Sequence, residues 1–429
     1  SFTSNSAASA GGGISVAAST LALTSSTFMS NAAAASGGGA LFVNSASFWG
    51  TADSLAFVGN SAAGDGGGVW TEVDVTFTTS CSFISNTGVN GGGLMCQSST
   101  VTDSAGCTFD QNQATTAGGG VAVPSGSSYT AANATFTNNV APDGGAIEVD
   151  AGMLVVSSSV FSQNTASSFG GAVRLTNGGS LTDIGSTFSS NTANTGGVLY
   201  SDASTLSLTS SAFSSNVAVL DSGALYVTGS TTWGTADSLT FYNNIAGDKG
   251  GGVLTKASVT FTTSCSFVAN KGVDGAAMFV FDAATVTDAA GCIFLENKAT
   301  NQGAALWVMP SGAYNGTGTN FTMNTAALEG GAVYLDGGTV TFSDGVFSQN
   351  NASGSNGGAV YMAGGSLTDT GSTFSSNAAA VGGGAVLCAA GALNLTSSSF
   401  TMNSAASGDG GAIQLDGASL TSAGCSFSQ

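Results

Sequence analysis

The stretch Phe83-Ile84-Ser85-Asn86-Thr87-Gly88-Val89-Asn90-Gly91-Gly92-Gly93-Leu94 decides the fold, because the whole chain repeats its outline. A Phe is followed three residues on by an Asn. Five to seven residues later comes a Gly pair or triplet, usually ahead of Ala, Val or Leu. The pairs Phe28/Asn31, Phe57/Asn60, Phe83/Asn86, Phe109/Asn112 and Phe136/Asn139 follow Phe2/Asn5. The pattern occurs sixteen times, to Phe400/Asn403, at spacings of 25 to 29 residues, and a seventeenth Phe stands at 427. A fixed period of this length marks a solenoid.

Between these marks lie short alternating runs such as Ala332-Val333-Tyr334-Leu335 and Thr339-Val340-Thr341-Phe342. A two-residue period over four to six positions reads as strand, and no segment carries a helical period of useful length. A coil of about three short strands cannot bury its own apolar face, so it must stack on its neighbours. The expected fold is all-β: a single-domain parallel β-helix of about sixteen coils. With coils about 4.8 Å apart, the repeat Phe becomes an internal ladder, each ring contributing roughly 1.5–3 kcal/mol on burial. The Asn falls at a turn, where it tolerates a left-handed backbone and can bond from coil to coil. The glycines supply positive φ at the next corner.

A longer period sits above the coil. Trp49-Gly50-Thr51-Ala52-Asp53-Ser54-Leu55 returns as Trp233-Gly234-Thr235-Ala236-Asp237-Ser238-Leu239, and Val75 to Phe83 returns unchanged as Val259 to Phe267. The shift is seven coils. Residues 1–429 therefore read as one continuous β-helix containing a first seven-coil block at 28–212, a second at 213–399 and the start of a third at 400–429. Duplicated blocks lengthen a stalk or fibre and add little to an enzyme.

Composition narrows the function. The net charge is −19 with only five basic residues, Arg174, Lys249, Lys256, Lys271 and Lys298. Nucleic acid needs a basic footprint and is excluded as a partner. No apolar run is long enough for a transmembrane helix. The chain opens without a signal-peptide pattern and stops within a repeat, which reads as a processed or partial chain.

The alternation of Gly-Gly-Ala-Val/Ile (Gly144 to Ile147, Gly331 to Val333, Gly410 to Ile413) with Phe-x-x-Asn resembles the repeats of the chlamydial polymorphic outer-membrane proteins and similar β-helical surface proteins. The resemblance covers the whole chain. It implies a right-handed β-helix displayed at a cell surface, often adhesive.

Five of the seven cysteines stand two residues before the repeat Phe: Cys81, Cys107, Cys265, Cys292 and Cys425. Cys81/Cys107 and Cys265/Cys292 belong to adjacent coils, at a separation within disulfide range. Inter-coil disulfides are expected at both pairs, in an oxidising compartment; a stack of small buried thiols is the plainer alternative. Cys96 and Cys388 read as buried singles.

A catalytic site is not expected. With no His, triads and His-ligated metals are absent. The nearest approach to a glycosidase pair is Glu148 with Asp150, with Glu72 and Asp74 similar, and both read most simply as solvated strand faces. Asp65, Asp143, Asp248 and Asp409 beside the glycine corner could take Ca²⁺, but Asp next to Gly is ordinary turn chemistry; no other cofactor is called for. Sequons stand at Asn133, Asn315, Asn320, Asn351 and Asn394, to be glycosylated if the source is eukaryotic. The Trp and Tyr residues show no regular outward stripe in the sequence.

The leading expectation is a structural subunit of an extracellular filament or surface appendage. The sequence starts and ends at the same point of the coil, Ser1-Phe2-Thr3 and Ser426-Phe427-Ser428. Copies could therefore stack head to tail through their exposed β-edges. The alternatives are a monomeric adhesin, like an autotransporter passenger, whose partners are glycans or surface proteins, and, less favoured, a β-helical carbohydrate-active enzyme.

Overall fold

Each coil distributes its short strands over three parallel sheets. In the coil that starts at Ser82, Ser82–Ile84 lies in the first sheet and Thr87–Asn90 in the second, while Leu94–Cys96 and Thr100–Asp103 share the third. The three strands expected per coil are thus three faces, the third usually broken by a corner. In two coils it runs unbroken, as Val333–Ser343 and Val360–Thr370. The computed structural model describes residues 1–281 and 283–429. They form a parallel β-solenoid that divides into two units, Ser1–Ser211 and Ala212–Gln429, with no helix among the described residues.

Identical registers stack identical side chains. Phe83 pairs with Phe57 on one side and Phe109 on the other. The rings from Phe2 to Phe188 in the first unit, and from Phe213 to Phe427 in the second, stack at centroid spacings between 4.5 and 5.1 Å. They are almost parallel, 2° apart for Phe83 and Phe109. Such offset stacks add about 0.5–1.5 kcal/mol per pair to the area term. The second sheet turns a column of Ala inward, Ala33, Ala114, Ala141 and Ala166 among them. Its small side chains let that face close tightly on the Phe column.

The first corner gives the ladder asparagines a specific place. Asn31, Asn60, Asn86, Asn112 and Asn139, of a residue type that tolerates a left-handed backbone, do not adopt one. The left-handed residue is the one before each: Ser30 (φ 54°), Gly59 (φ 61°), Ser85 (φ 55°), Gln111 (φ 55°) and Asn138 (φ 54°). That single reversal turns the next side chain inward. A polar residue at a turn would ordinarily face water, yet Asn31 and Asn60 are 0% and 1% exposed, and Asn86, Asn112 and Asn139 are equally buried.

Stacking then satisfies the buried amides. The Asn31 backbone N–H and Nδ2 donate to Asn60 Oδ1 at 2.9 and 3.0 Å, and Nδ2 also donates to Phe2 O at 2.9 Å. Asn60 repeats the set on Asn86 Oδ1, at 3.0 and 2.9 Å, and on Phe28 O, one coil back, at 3.0 Å. Asn86 does so on Asn112 Oδ1 and Phe57 O. The pattern recurs from coil to coil in both units. A buried amide with every group bonded avoids the penalty of a stranded polar group.

The glycine corner needs its residues for two separate reasons. Gly38 has φ 68°, the left-handed region. Gly39 does not, but a Cβ there would stand 2.1 Å from Gly67 O in the next coil. The repeat therefore keeps glycine where one coil's backbone presses on the next.

Candidate functional site

Alternation in the third sheet sends every second side chain outward. In the first unit this builds the column Phe42, Trp70, Met95, Ala122, Glu148, Arg174, Tyr200, each in register with the next. Between Met95 and Glu148 the column holds the short Ala122. The gap above it is a cleft of about 230 Å³, walled by Met95 on one side and by Glu148, Arg174, Asp143 and Asp150 on the other, with Pro124 at its edge.

Glu148 and Asp150 share the strand Ile147–Asp150, as the sequence implied. The solvated-face reading fails for Glu148, which is only 6% exposed. Arg174, one coil on, covers it: its Nη1 donates at 3.2 Å to both Glu148 Oε1 and Asp143 Oδ2. Its guanidinium lies 5.8 Å from the Phe169 ring centroid. The satisfaction is incomplete, since Glu148 Oε2, Asp143 Oδ1 and Arg174 Nε are buried without a hydrogen-bond partner. Burial pushes the Glu148 carboxyl up to about 8. Arg174 opposes that rise, while Asp143 and Asp150 reinforce it. Glu72 and Asp74 form no comparable pair. They lie in the corner after Val69–Thr71 and cap different neighbours, Glu72 accepting from Ser45 N–H at 3.0 Å and Asp74 from Thr100 N–H at 2.7 Å.

The second unit corrects a further expectation. Its outward column contains Leu254, Phe279, Trp307, Tyr334, Tyr361 and Leu387 in register. Phe279 and Trp307 stack at 5.4 Å, Trp307 and Tyr334 lie 4.3 Å apart, and Tyr334 and Tyr361 stack at 5.3 Å. An aromatic column does exist on the outward side over four coils, with Trp307 and Tyr361 half-buried and Phe279 and Tyr334 covered. It escaped notice because Phe and Leu share the column with Trp and Tyr. A polar row runs beside it: Asn301 Nδ2 donates to Asp274 Oδ1 at 2.8 Å, Gln302 Nε2 to Glu329 Oε2 at 2.6 Å and Ser355 Oγ to Glu329 Oε1 at 3.0 Å.

The paired cysteines lie in register, but the structure holds all seven as free thiols, so the expected bridges are not formed in it. Instead the Cys81 N–H donates to Cys107 Sγ, and the Cys265 N–H to Cys292 Sγ, both at 3.4 Å. Ser in this column can accept the preceding coil's N–H in the same way, as Ser186 Oγ does for Ser159 N–H at 3.1 Å. Cys96 and Cys388 are buried, and Cys425 is half-buried.

Four interior carboxylates went unforeseen: Asp103, Asp183, Asp288 and Asp369. Asp103 occupies an inward column beside Phe77 and Ala131. It holds the next corner by accepting from Cys107 N–H at 2.7 Å and Ala105 N–H at 3.2 Å. Asp288 does the same for Cys292 N–H at 2.8 Å. The available signal was the recurring Thr-Asp placed just before a Gly and the Cys or Ser column. Burial raises Asp183 and Asp369 above the ordinary carboxyl range.

Three of the four Asp residues considered for Ca²⁺ have other work. Asp65 accepts from Asn90 N–H and Nδ2 at 3.0 and 2.9 Å, Asp143 pairs with Arg174, and Asp248 pairs with Lys249 at 2.7 Å. Among the described residues no three acidic or Cys side chains converge as metal ligands. Of the sequon residues, Asn133 is exposed, and Asn315, Asn320, Asn351 and Asn394 are half-buried on outward positions. No described helix is long and apolar enough to cross a membrane.

Curated proteins and solved structures offer no match to the chain. Residues 158–176 and 238–256 match the Chlamydia polymorphic membrane protein repeat. Each match spans one Phe-x-x-Asn, at Phe161 and Phe241, and the glycine corner that follows. The repeat unit of this β-solenoid is therefore similar to that of the chlamydial family, as its motif implied.

Proposed function

We propose that the chain is a non-enzymatic structural subunit of an extracellular filament or cell-surface appendage. The observation that carries this reading is the interchangeability of its coils: each presents the same Phe ring, the same Asn amide and the same backbone edge to the next. A surface that stacks on its neighbour within the chain is complementary to the same surface on another copy, and such a contact does not close. The similarity to a surface-protein repeat supports display outside the cell, where the paired Cys could be oxidised and the outward sequons modified. Negative-stain electron microscopy and sedimentation of purified chain test the reading. Fibres that lengthen with concentration are expected; short monodisperse particles at all concentrations would overturn it.

A second reading, an adhesive display solenoid acting as a monomer, is favoured by the half-buried rings of Trp307 and Tyr361 in the outward aromatic column, beside a row of amides and carboxylates. Such a face suits stacking against sugar rings or a protein surface. Glycan-array binding that is lost on Trp307→Ala, without fibre formation, would select it. Turnover of an oligosaccharide, abolished by Glu148→Gln, would instead restore the enzymatic reading.

A further inference from the structure

We propose that the cleft above Ala122 binds a primary ammonium group carried on an aliphatic stem. With Glu148 ionised, the unmet hydrogen-bonding capacity of the cleft is mostly acceptor: Glu148 Oε2 and Asp143 Oδ1 are buried and unpartnered, against the one donor Arg174 Nε. Three carboxyl groups, Asp143, Glu148 and Asp150, face a single guanidinium, that of Arg174. An incoming group must therefore bring donors and positive charge, which excludes anions. The absence of a three-ligand cluster among the described residues disfavours a bare metal ion. An ammonium has three donors and no acceptor. Its stem would lie against Met95, Ala122 and Pro124, the apolar part of the lining. The site is independent of whether coils polymerise.

Binding would move a proton. Arg174, Asp143 and Asp150 are the charged groups around Glu148, and its carboxyl rests near 8, so at neutral pH it holds its proton. An arriving ammonium favours the carboxylate, and the Glu148 proton leaves to solvent as the ion pair forms. Affinity should then increase as pH is raised from 6 towards about 8.

Calorimetric titration of the full chain with Nα-acetyl-lysine methylamide tests this, run at pH 7 in two buffers of different ionisation enthalpy. Saturable binding is expected, with a buffer-dependent heat that reports proton release. Glu148→Gln should weaken binding roughly tenfold or more. Ala122→Met, which fills the gap with the side chain found one column position away, should abolish binding while leaving the circular dichroism unchanged. Putrescine distinguishes sources: tighter binding of the lysine derivative points to a partner's side chain, and tighter putrescine to a free polyamine. Equal binding of the uncharged Nα-acetyl-norleucine methylamide, undiminished binding to Ala122→Met, or binding of neither amine would overturn the proposal. Methyl galactoside bound in the cleft in place of the amines would replace it with a sugar subsite.

Discussion

Asn86 gives both its backbone N–H and its side-chain amide to one atom, Oδ1 of Asn112 in the next coil, each at 3.0 Å. Asn112 in turn donates to Phe83 O at 2.8 Å and to Asn139 Oδ1 at 3.0 Å. Replacing Asn112 with Ala leaves two donors and one carbonyl without partners in a dry interior. At about 1–3 kcal/mol for each stranded group, the loss is expected to be about 3 kcal/mol or more, read as a lower denaturation midpoint. An unchanged midpoint would mean that the ladder contributes nothing net.

The buried carboxyls set the response to pH. Glu148 rises from an ordinary 4.5 to about 8, and Asp183 and Asp369 are raised from 3.8. Burial is the main cause in each. A carboxyl with a raised folded value holds its proton more tightly in the native chain than in the unfolded one. Its contribution to stability is fully present below the unfolded value, near 4, and is lost as pH rises through the folded value, near 8 for Glu148. The melting temperature should therefore be higher at pH 5 than at pH 8.5, and Glu148→Gln should remove much of that difference. A melting temperature that climbs with pH over this range would contradict the assignment.

Glycines at the two corners should respond in opposite ways to substitution. Gly39→Ala would set a Cβ 2.1 Å from Gly67 O and 2.6 Å from the Ser61 carbonyl. Backbone cannot give way as a side chain can, so a loss of about 3 kcal/mol is expected. Gly59 has φ 61°, but only Ser30 Oγ lies near, at 3.9 Å. Other coils carry Ser or Asn at the equivalent position, such as Ser85 and Asn138. Gly59→Asn should thus change stability by under about 1 kcal/mol. Urea denaturation of the two variants gives both values directly.

Thiol chemistry offers a fourth check. Cys107 and Cys292 are pushed far up, by the hydrogen bonds they share with Cys81 and Cys265 and by burial. Cys96 is pushed up by burial alone. Cys81 and Cys265 are lowered by those same hydrogen bonds but are buried, so in the reduced native chain the more exposed Cys425 should react with a disulfide reagent first and the others only on unfolding. In material recovered from an oxidising compartment, unreduced peptides are expected to link Cys81 to Cys107 and Cys265 to Cys292, closed before the coils pack. Four unlinked thiols there would remove the disulfide proposal.

The interior was legible in the sequence because it obeys a strict period. One Phe, one Asn and one glycine corner per coil fix the stacking axis and the register. The conformation of the first corner was less legible. Asn tolerates a left-handed backbone, yet that role falls not to Asn31 and Asn60 but to Ser30 and Gly59, whose types vary from coil to coil. The outward face was hidden because nothing forces its columns to repeat one residue type. Phe279, Trp307, Tyr334 and Tyr361 look unrelated until register aligns them. Glu148 and Arg174 stand 26 residues apart, one coil, so their pairing could have been read by projecting the period onto the charged residues. Asp103 and Asp288 were hidden for a different reason: a carboxylate in an apolar inward column contradicts the alternation rule until its backbone donors, two to four residues ahead, are seen.

Within the Asn ladder the bond between side chains runs one way, Nδ2 donating forward to the next Oδ1, while the second Nδ2 hydrogen returns to the Phe carbonyl one coil back. The string of side-chain bonds is therefore a vector, and the two faces of any coil are unlike: the Asn offers a backbone N–H and an Nδ2 hydrogen to one side, and its Oδ1 lone pairs with the other Nδ2 hydrogen to the other. Joining two such surfaces with their arrows aligned would continue the ladder, whereas two forward faces brought together would set donor against donor. A direction is thus written into a single side chain, repeated once per turn.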